Sequence, residues 1–244
     1  MKISFVIPAY NEEKYIGQCL DSVICEIKRS KVDAEIIVVN NASTDKTREI
    51  VAKYANVKII DEMQKGLVKA RQAGFGASSG EIIANVDADI ILAAGWIEKA
   101  LKEFSKNKKL VALSGPYIYY DRSLWINCLV WVYYFVGYAV HFFTQYILKK
   151  GAMLQGGNFV LRRTALEKIG GFDVRIDFFG EDTDIAQRIQ KVGQVKFSFL
   201  FPMRTSARRF SNEGFVSTAF KYAINYFWVT IFQKPFSKKH NDIR

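Results

Sequence analysis

Residues 82–89 read Ile82-Ile83-Ala84-Asn85-Val86-Asp87-Ala88-Asp89. Apolar side chains that follow one another directly, rather than alternating with polar ones, predict a strand covered on both faces, as in a parallel sheet between helices. The strand then runs into two carboxylates one residue apart. In open sheets of this kind, the carboxyl ends of the strands form the edge where ligands bind.

Working outward, similar runs lie at 3–7, 35–39, 57–60 and 110–114. Between them apolar residues recur at helical spacing: Ile16, Leu20, Val23 and Ile27; Ile50, Val51 and Tyr54; Leu67, Ala70, Gly74 and Ala77. The alternation predicts an α/β domain with a mostly parallel central sheet flanked by helices. The same character resumes later, with strands expected at 158–161 and 195–199 and helices at 164–169 and 183–192.

A chain of 244 residues with 50% hydrophobic and 24% charged side chains is folded and globular, which excludes a disordered tail or linker. Cys19, Cys25 and Cys128 have neither disulfide-framework nor zinc spacing, so a reducing cytosol is expected. The apolar stretch at the N-terminus is too short for a signal peptide. A net charge of +11 attracts phosphates: nucleotides, nucleic acid or anionic lipid. Residues 202–244 hold eight Lys or Arg against Glu213 and Asp242, interleaved with aromatics. No nucleic-acid module or basic recognition helix is present, so a nucleic-acid partner is not expected.

Three polar clusters adjoin the elements: Asn40-Asn41, Asp87-Ala88-Asp89 and Glu181-Asp182-Thr183-Asp184. Paired carboxylates at a sheet edge of a basic protein suit a hard divalent cation that grips a diphosphate by its oxygens. Structural accounts compete with each cluster. Residues 40–43 read equally as a turn in which Ser43 or Thr44 caps the next helix. Glu181-Asp182 also reads as acids complementing a helix macrodipole. Gly170-Gly171 reads as a backbone turn, and His141 and His240 receive no role. Arg208-Arg209 either closes over a diphosphate or forms a solvated or lipid-facing basic patch.

Taken in order, Pro8-Ala9-Tyr10-Asn11-Glu12, Val39-Asn40-Asn41-Ala42-Ser43-Thr44-Asp45, Lys69-Ala70-Arg71-Gln72-Ala73-Gly74, Val86-Asp87-Ala88-Asp89, Gly156-Gly157-Asn158 with Arg162-Arg163, Gly170-Gly171-Phe172-Asp173 and Gly180-Glu181-Asp182-Thr183-Asp184 resemble the signature of the family 2 glycosyltransferases with the GT-A fold, over roughly residues 1–200. The resemblance implies an inverting transfer from a nucleotide-sugar. Pro8, Ala9, Tyr10 and Glu12 would border base and ribose, Asn41 would face the base, and Arg71 would lie near the diphosphate. Asp87 would reach the ribose, and Asp89 would hold Mg2+ or Mn2+ against the diphosphate. Asp182 would be the general base; Gly156, Gly157, Asn158 and Glu181 would border the acceptor.

Two departures stand out. Asn40 and Asn41 occupy positions usually acidic in the family, which leaves UDP and GDP sugars both open and invites the alternative of a nucleotide-sugar-binding protein without turnover. The Gln-x-x-Arg-Trp segment of processive synthases is absent from this sequence, so one sugar per event is expected.

Residues 124–148 contain no Lys, Arg, Asp or Glu and are long enough to cross a bilayer. A single crossing would put Asp87 and Asp89 on the opposite side of the membrane from Glu181 and Asp182, which must share their site. The segment is therefore read as one or two helices, bending near Gly137, that pack on the domain or lie in the bilayer interface; a dimer interface is the alternative. With the basic, aromatic region at 201–244, read as helical, and a second apolar stretch at 215–232, it suggests a peripheral protein on the cytoplasmic leaflet. The acceptor is then expected to be a lipid-linked glycan, a polyprenyl phosphate or another membrane-proximal molecule.

Overall fold

Strand β1 (Ile3–Ala9) is buried along its whole length because its side chains feed two separate cores. Ile3, Phe5, Ile7 and Ala9 join one cluster and Val6 another, the two-residue period of a strand expressed on two covered faces. Strand β2 (Ala34–Asn40) divides likewise: Ile36 and Val38 face one side, Ile37 and Val39 the other. The structure, a computed structural model, describes residues 1–146, 152–176 and 180–208.

The remaining strands are β3 (Val57–Asp61), β4 (Ile82–Val86), β5 (Ile90–Ile91), β6 (Leu110–Ser114), β7 (Tyr117–Tyr119), β8 (Asn158–Arg162), β9 (Gln194–Phe197) and β10 (Met203–Thr205). Among the described residues the main sheet has seven strands in the order β3-β2-β1-β4-β8-β6-β9. β1 runs parallel to β2 and β4, β2 to β3, and β6 to β9, while β8 is antiparallel to both neighbours. The mostly parallel sheet expected from the sequence is present. The reversed β8 has a consequence for the site: it begins, rather than ends, at the edge where β4 finishes, with Asn158 opposite Val86.

On one face lie α1 (Ile16–Ser30) and α4 (Trp96–Lys106), contributing Ile16, Leu20, Trp96 and Phe104 to the first core. On the other lie α3 (Leu67–Ala77), α6 (Arg163–Lys168) and α7 (Glu181–Gln190), contributing Val68, Phe75, Leu166 and Ile185. In α3, Gly74 packs against Val6 and Val39 at a distance that any Cβ would close. A short helix, α2 (Thr47–Val51), follows β2.

A second sheet, β5-β10-β7, has no counterpart in the sequence reading. Its strands are two or three residues long, below the length at which an apolar pattern is legible. Met203–Thr205 lies in the region read as helical, yet it forms the central strand here, pairing Arg204 and Thr205 with Ile91 and Ile90. The stacking of Phe201 on Trp96, ring centres 4.6 Å apart, seats the turn that leads into it. Residues 215–232 and Arg209 lie outside the described residues.

Over its described residues the apolar segment is a single helix, α5 (Leu124–Tyr146), the one-helix form of the expectation, unbroken at Gly137. Val130 and Tyr134 are buried against Phe197, with Ile126, Tyr138 and Met153 around them. The Tyr134 hydroxyl donates to Gln155 Oε1 at 2.7 Å and accepts from the Tyr117 N–H at 3.2 Å. The helix midpoint is thus fastened both to β7 before it and to the chain after it. The opposite face, with Trp125, Leu129, Val132 and Val136, is exposed, while Phe135 at its border stacks on Phe199 with ring centres 4.8 Å apart.

Candidate active site

The turn after β1 is locked to the turn after β2. The Asn11 N–H donates to Ser43 Oγ at 3.1 Å, the Thr44 N–H donates to Asn11 Oδ1 at 2.8 Å, and the Glu12 N–H donates to Thr47 Oγ1 at 2.7 Å. Ser43 and Thr44 therefore tie Tyr10–Glu12 in place instead of capping α2, which has no side-chain cap. Pro8 and Ala9 end β1 beneath this turn, and Lys65 Nζ stands 3.8 Å from the centre of the Tyr10 ring.

Asn41, expected to face a base, is buried with its amide engaged. Nδ2 donates to the carbonyls of Glu62 and Gln64 at 3.0 and 2.9 Å, and Oδ1 accepts from the Gly66 N–H at 2.7 Å. It shapes the pocket by pinning the 62–66 loop, and a contact in which Asn41 donates to a base requires one of the Nδ2 bonds to open. Asn40 is held by Asp61, which is in turn gripped by Arg48.

At the end of β4, Asp87 meets Arg71, whose Nη2 lies 3.2 Å from Asp87 Oδ1. Arg71 comes from α3, its side chain is only 1% exposed, and its Nη1 pairs with Glu181 Oε2. One guanidinium thus joins the acid that ends β4 to the acid that begins α7, on either side of α5 in the chain. Arg71 was expected beside a diphosphate; it stands instead between two carboxylates, out of solvent contact. Burial pushes Glu181 up to about 7 despite the pull of Arg71, with the neighbouring Asp182 charge adding to the rise.

The glycines before β8 fill the space between these acids. The Gly156 N–H donates to Asp182 Oδ2 at 3.3 Å, and its carbonyl accepts from the Tyr117 hydroxyl. Gly157 has φ of +78°, and a Cβ there would collide with the Asp87 carboxylate and the Tyr117 hydroxyl. Gly157 is needed for this close approach, which is to the site's own carboxylate, and at Gly156 a Cβ would lie 3.2 Å from Glu181 Oε1. Asp182 is partly exposed, and its Oδ1 accepts from the Thr183 N–H at 2.8 Å. Burial raises its pKa, outweighing the hydrogen bonds from Thr183 and Gly156 and the attraction of Arg71.

Asn158 corrects the sequence reading. It was expected to border the acceptor, yet it is fully buried, its amide donating to the carbonyls of Gly115 and Phe201 at 3.0 and 3.2 Å. It clamps the end of β6 to the turn before β10, because the first residue of the antiparallel strand lies under the sheet edge rather than on it.

Asp89, two residues beyond Asp87, is 11% exposed, with Arg208 Nη2 3.1 Å from its Oδ2. Among the described residues no group of three or more His, Cys, Asp or Glu converges on one point. That donor set suits an ion held by one or two carboxylates whose shell is completed by substrate phosphates, the habit of Mg2+ rather than of a cage-bound metal. Arg208 is the site residue the sequence reading left undecided. No local pattern in 201–208 signals its destination, which depends on the small second sheet.

The layered, mostly parallel sheet with its acidic edge defines a GT-A glycosyltransferase fold. Residues 4–170 match Glycosyl transferase family 2, and the chain belongs to that family. It is 30% identical over 207 residues to the probable glycosyltransferase YdaM of Bacillus subtilis, an alignment covering 79% of this chain and 47% of that one. It is 34% identical over 135 residues to chondroitin synthase of Pasteurella multocida, covering 53% of this chain and 14% of the synthase. The chain thus spans less than half the length of these curated relatives. The mannosyltransferase PcManGT from Pyrobaculum calidifontis, solved in complex with GDP-Man and Mn2+, shares the fold with a TM-score of 0.64 at 22% identity, covering 91% of this chain and 64% of the other.

Proposed function

We propose that this chain is an inverting, divalent-metal-dependent glycosyltransferase that moves a single sugar from a UDP- or GDP-sugar to a membrane-proximal acceptor. The observation that carries the reading is the meeting of Asp87 with Glu181 and Asp182 around Gly156-Gly157 and the buried Arg71, with Asp89 two residues beyond Asp87 on the same edge. A relative solved with GDP-Man and Mn2+ supports the donor class and the ion.

In this reading Asp89 holds Mg2+ or Mn2+ together with the diphosphate oxygens, and the ion supplies neutralising charge for the departing nucleoside diphosphate. Asp87, oriented by Arg71, receives the ribose. Asp182 takes the proton from an acceptor hydroxyl as that oxygen attacks the anomeric carbon opposite the leaving group, one displacement that inverts configuration. A carboxylate raised by burial is better matched to that proton than one at its ordinary value. The Gly156 and Thr183 N–H groups hold one oxygen each and so fix the orientation of the Asp182 carboxylate. A polyprenyl phosphate acceptor carries an anionic oxygen already and makes no demand on Asp182.

The exposed face of α5 supports a position at the membrane surface. Leu124–Phe142 is apolar and long enough to span a bilayer, but Tyr134 and Val130 fasten it to the domain. A helix held along one side and apolar on the other suits the interface plane, with Trp125 at headgroup depth. The basic composition of 202–244 favours the anionic cytoplasmic leaflet.

The test is a thermal-shift screen of UDP- and GDP-sugars with and without Mn2+, followed by transfer assays to lipid-extract acceptors with the stabilising donor. Metal-dependent stabilisation with product formation is expected. Stabilisation without transfer or hydrolysis would favour the binding protein that does not turn over.

A further inference from the structure

Arg208 reaches the donor side of the site from the far end of the described chain. Its Nη1 and Nη2 donate to Glu12 Oε2 and Oε1 at 2.7 and 2.6 Å, a bidentate pair. Nη2 also stands 3.1 Å from Asp89 Oδ2, and the guanidinium lies over Tyr15, 4.7 Å from the ring centre. The second sheet delivers it there. β10 is paired to β5, which begins immediately after Asp89, and to β7. Asp121 then fixes the next two residues, accepting from Ser206 Oγ at 2.7 Å and from the Ala207 N–H at 2.8 Å.

Glu12 is 2% exposed and Asp89 11%. Two carboxylates brought this close with little water between them repel, and a cation must stand between them for the arrangement to persist. Arg208 supplies that charge from within the chain. A planar guanidinium can bind one acid through two parallel bonds and still present an N–H edge to a second.

We propose that Arg208 is the resident counter-cation of the donor site: it holds Glu12 and Asp89 while no divalent ion is bound, and an ion gains Asp89 only as Arg208 withdraws. This rests on the reading of Asp89 as the metal ligand. Ion loading is then coupled to the segment that follows β10. The ion-free protein has an acidic pocket already satisfied, and a divalent cation competes with an intramolecular one. Departure of Arg208 also frees a guanidinium next to the place where a diphosphate would be gripped.

The test is Mn2+ binding to the full chain without nucleotide, read from the free-ion EPR signal, in the wild type, Arg208→Gln, Asp89→Asn and the double variant. If the withdrawn state is about one molecule in ten, Arg208→Gln binds Mn2+ about ten-fold more tightly than the wild type, and adding Asp89→Asn abolishes the gain. Equal affinity in wild type and Arg208→Gln, with Asp89→Asn weakening both, overturns the counter-cation and leaves the metal ligand standing. No Mn2+ binding by any variant, even with UDP or GDP added, overturns both.

Arg208→Gln strips a buried Glu12 of its guanidinium, so a second measurement uses the unaltered protein. Trypsin must engage the Arg208 side chain to cut after it, and the two carboxylates shield that side chain. Mn2+ is expected to accelerate this cleavage several-fold relative to sites elsewhere; a rate unchanged at saturating Mn2+ overturns the proposal.

Discussion

Asp87 and Glu181 are ninety-four positions apart, with a bilayer-length apolar helix between them, and they share one guanidinium, that of Arg71. The relationship closes the active cleft from beneath. It also settles how α5 can lie between two halves of one site, because a helix that left the domain for the far side of a membrane could not return Glu181 to Arg71. Replacing Arg71 with Gln leaves Glu181 buried without its partner charge. Breaking a buried pair in this way costs about 3–5 kcal/mol, and Arg71→Gln is expected to lower the urea midpoint accordingly. Adding Glu181→Gln should restore part of the loss, which a double-mutant cycle would detect. A change in Arg71→Gln below about 1 kcal/mol, the scale of exposed pairs, would show that the pair is not buried in solution.

The same pair makes stability depend on pH. Burial raises the Glu181 carboxyl from its ordinary 4.5 to about 7. Between those values the folded protein holds a proton that the unfolded chain has released, so this group's contribution to stability falls as pH rises through the window. The slope is at most about 1.4 kcal/mol per pH unit for one fully buried group. Urea titrations across the window should show it in the wild type, and Glu181→Gln should flatten it. A wild type as flat as the variant would mean that Arg71 keeps Glu181 ionised throughout.

Asp182 is separable from this structural role because, among the described residues, it accepts only from backbone N–H groups, those of Thr183 and Gly156, and from the Thr183 hydroxyl. Asp182→Asn is expected to keep the wild-type melting temperature within a few degrees while turnover onto a hydroxyl acceptor falls by about 10²–10⁴-fold, the usual worth of a positioned base. Turnover within about ten-fold of the wild type would remove the general-base role and favour a phosphate acceptor, whose oxygen has no proton to lose.

The sequence showed the main sheet and the location of its acidic edge, because strands buried on both faces, such as 82–86 and 110–114, are apolar at nearly every position. It did not show what individual side chains touch. Asn41 stands where the family is usually acidic and Asn158 fits its motif position, yet both are engaged with backbone that only tertiary structure brings near: the 62–66 loop for one, Gly115 and Phe201 for the other. Ser43 and Thr44 had the chemistry of helix caps and found partners in the β1 turn instead. The second sheet was illegible because two- and three-residue strands carry no period, and without it nothing in the sequence places Arg208 on Glu12.

On α5, Trp125 is 81% exposed and Leu129 56%, whereas Tyr134 and Val130 are buried at 4% each. Glutamate at both Trp125 and Leu129 changes only the open face, so the melting temperature should move little. Co-sedimentation with vesicles containing anionic lipid should fall by at least about ten-fold, because each large apolar side chain withdrawn from the interface forfeits roughly 1.5–3 kcal/mol. Unchanged sedimentation would leave the face to a protein partner. Loss of folding would mean that it is covered in the monomer.

Gly157 offers a test of pocket shape that alters no charged or polar side chain. Its φ of +78° is strained for any residue with a Cβ, and the added carbon would collide with the Asp87 carboxylate and the Tyr117 hydroxyl. Because Asp87 is 35% exposed while the sheet behind it is packed, the carboxylate is the group that can give way. Its bond to Arg71 Nη2 would then lengthen, and the carboxylate would move from the position proposed for the ribose. Gly157→Ala is therefore expected to raise the donor KM by about ten-fold or more, while kcat at saturating donor falls less, the signature of lost ground-state binding. The opposite split, with KM unchanged and kcat reduced, would place the disturbance at Asp182 through Gly156, and would make the glycine pair a device of the acceptor side alone.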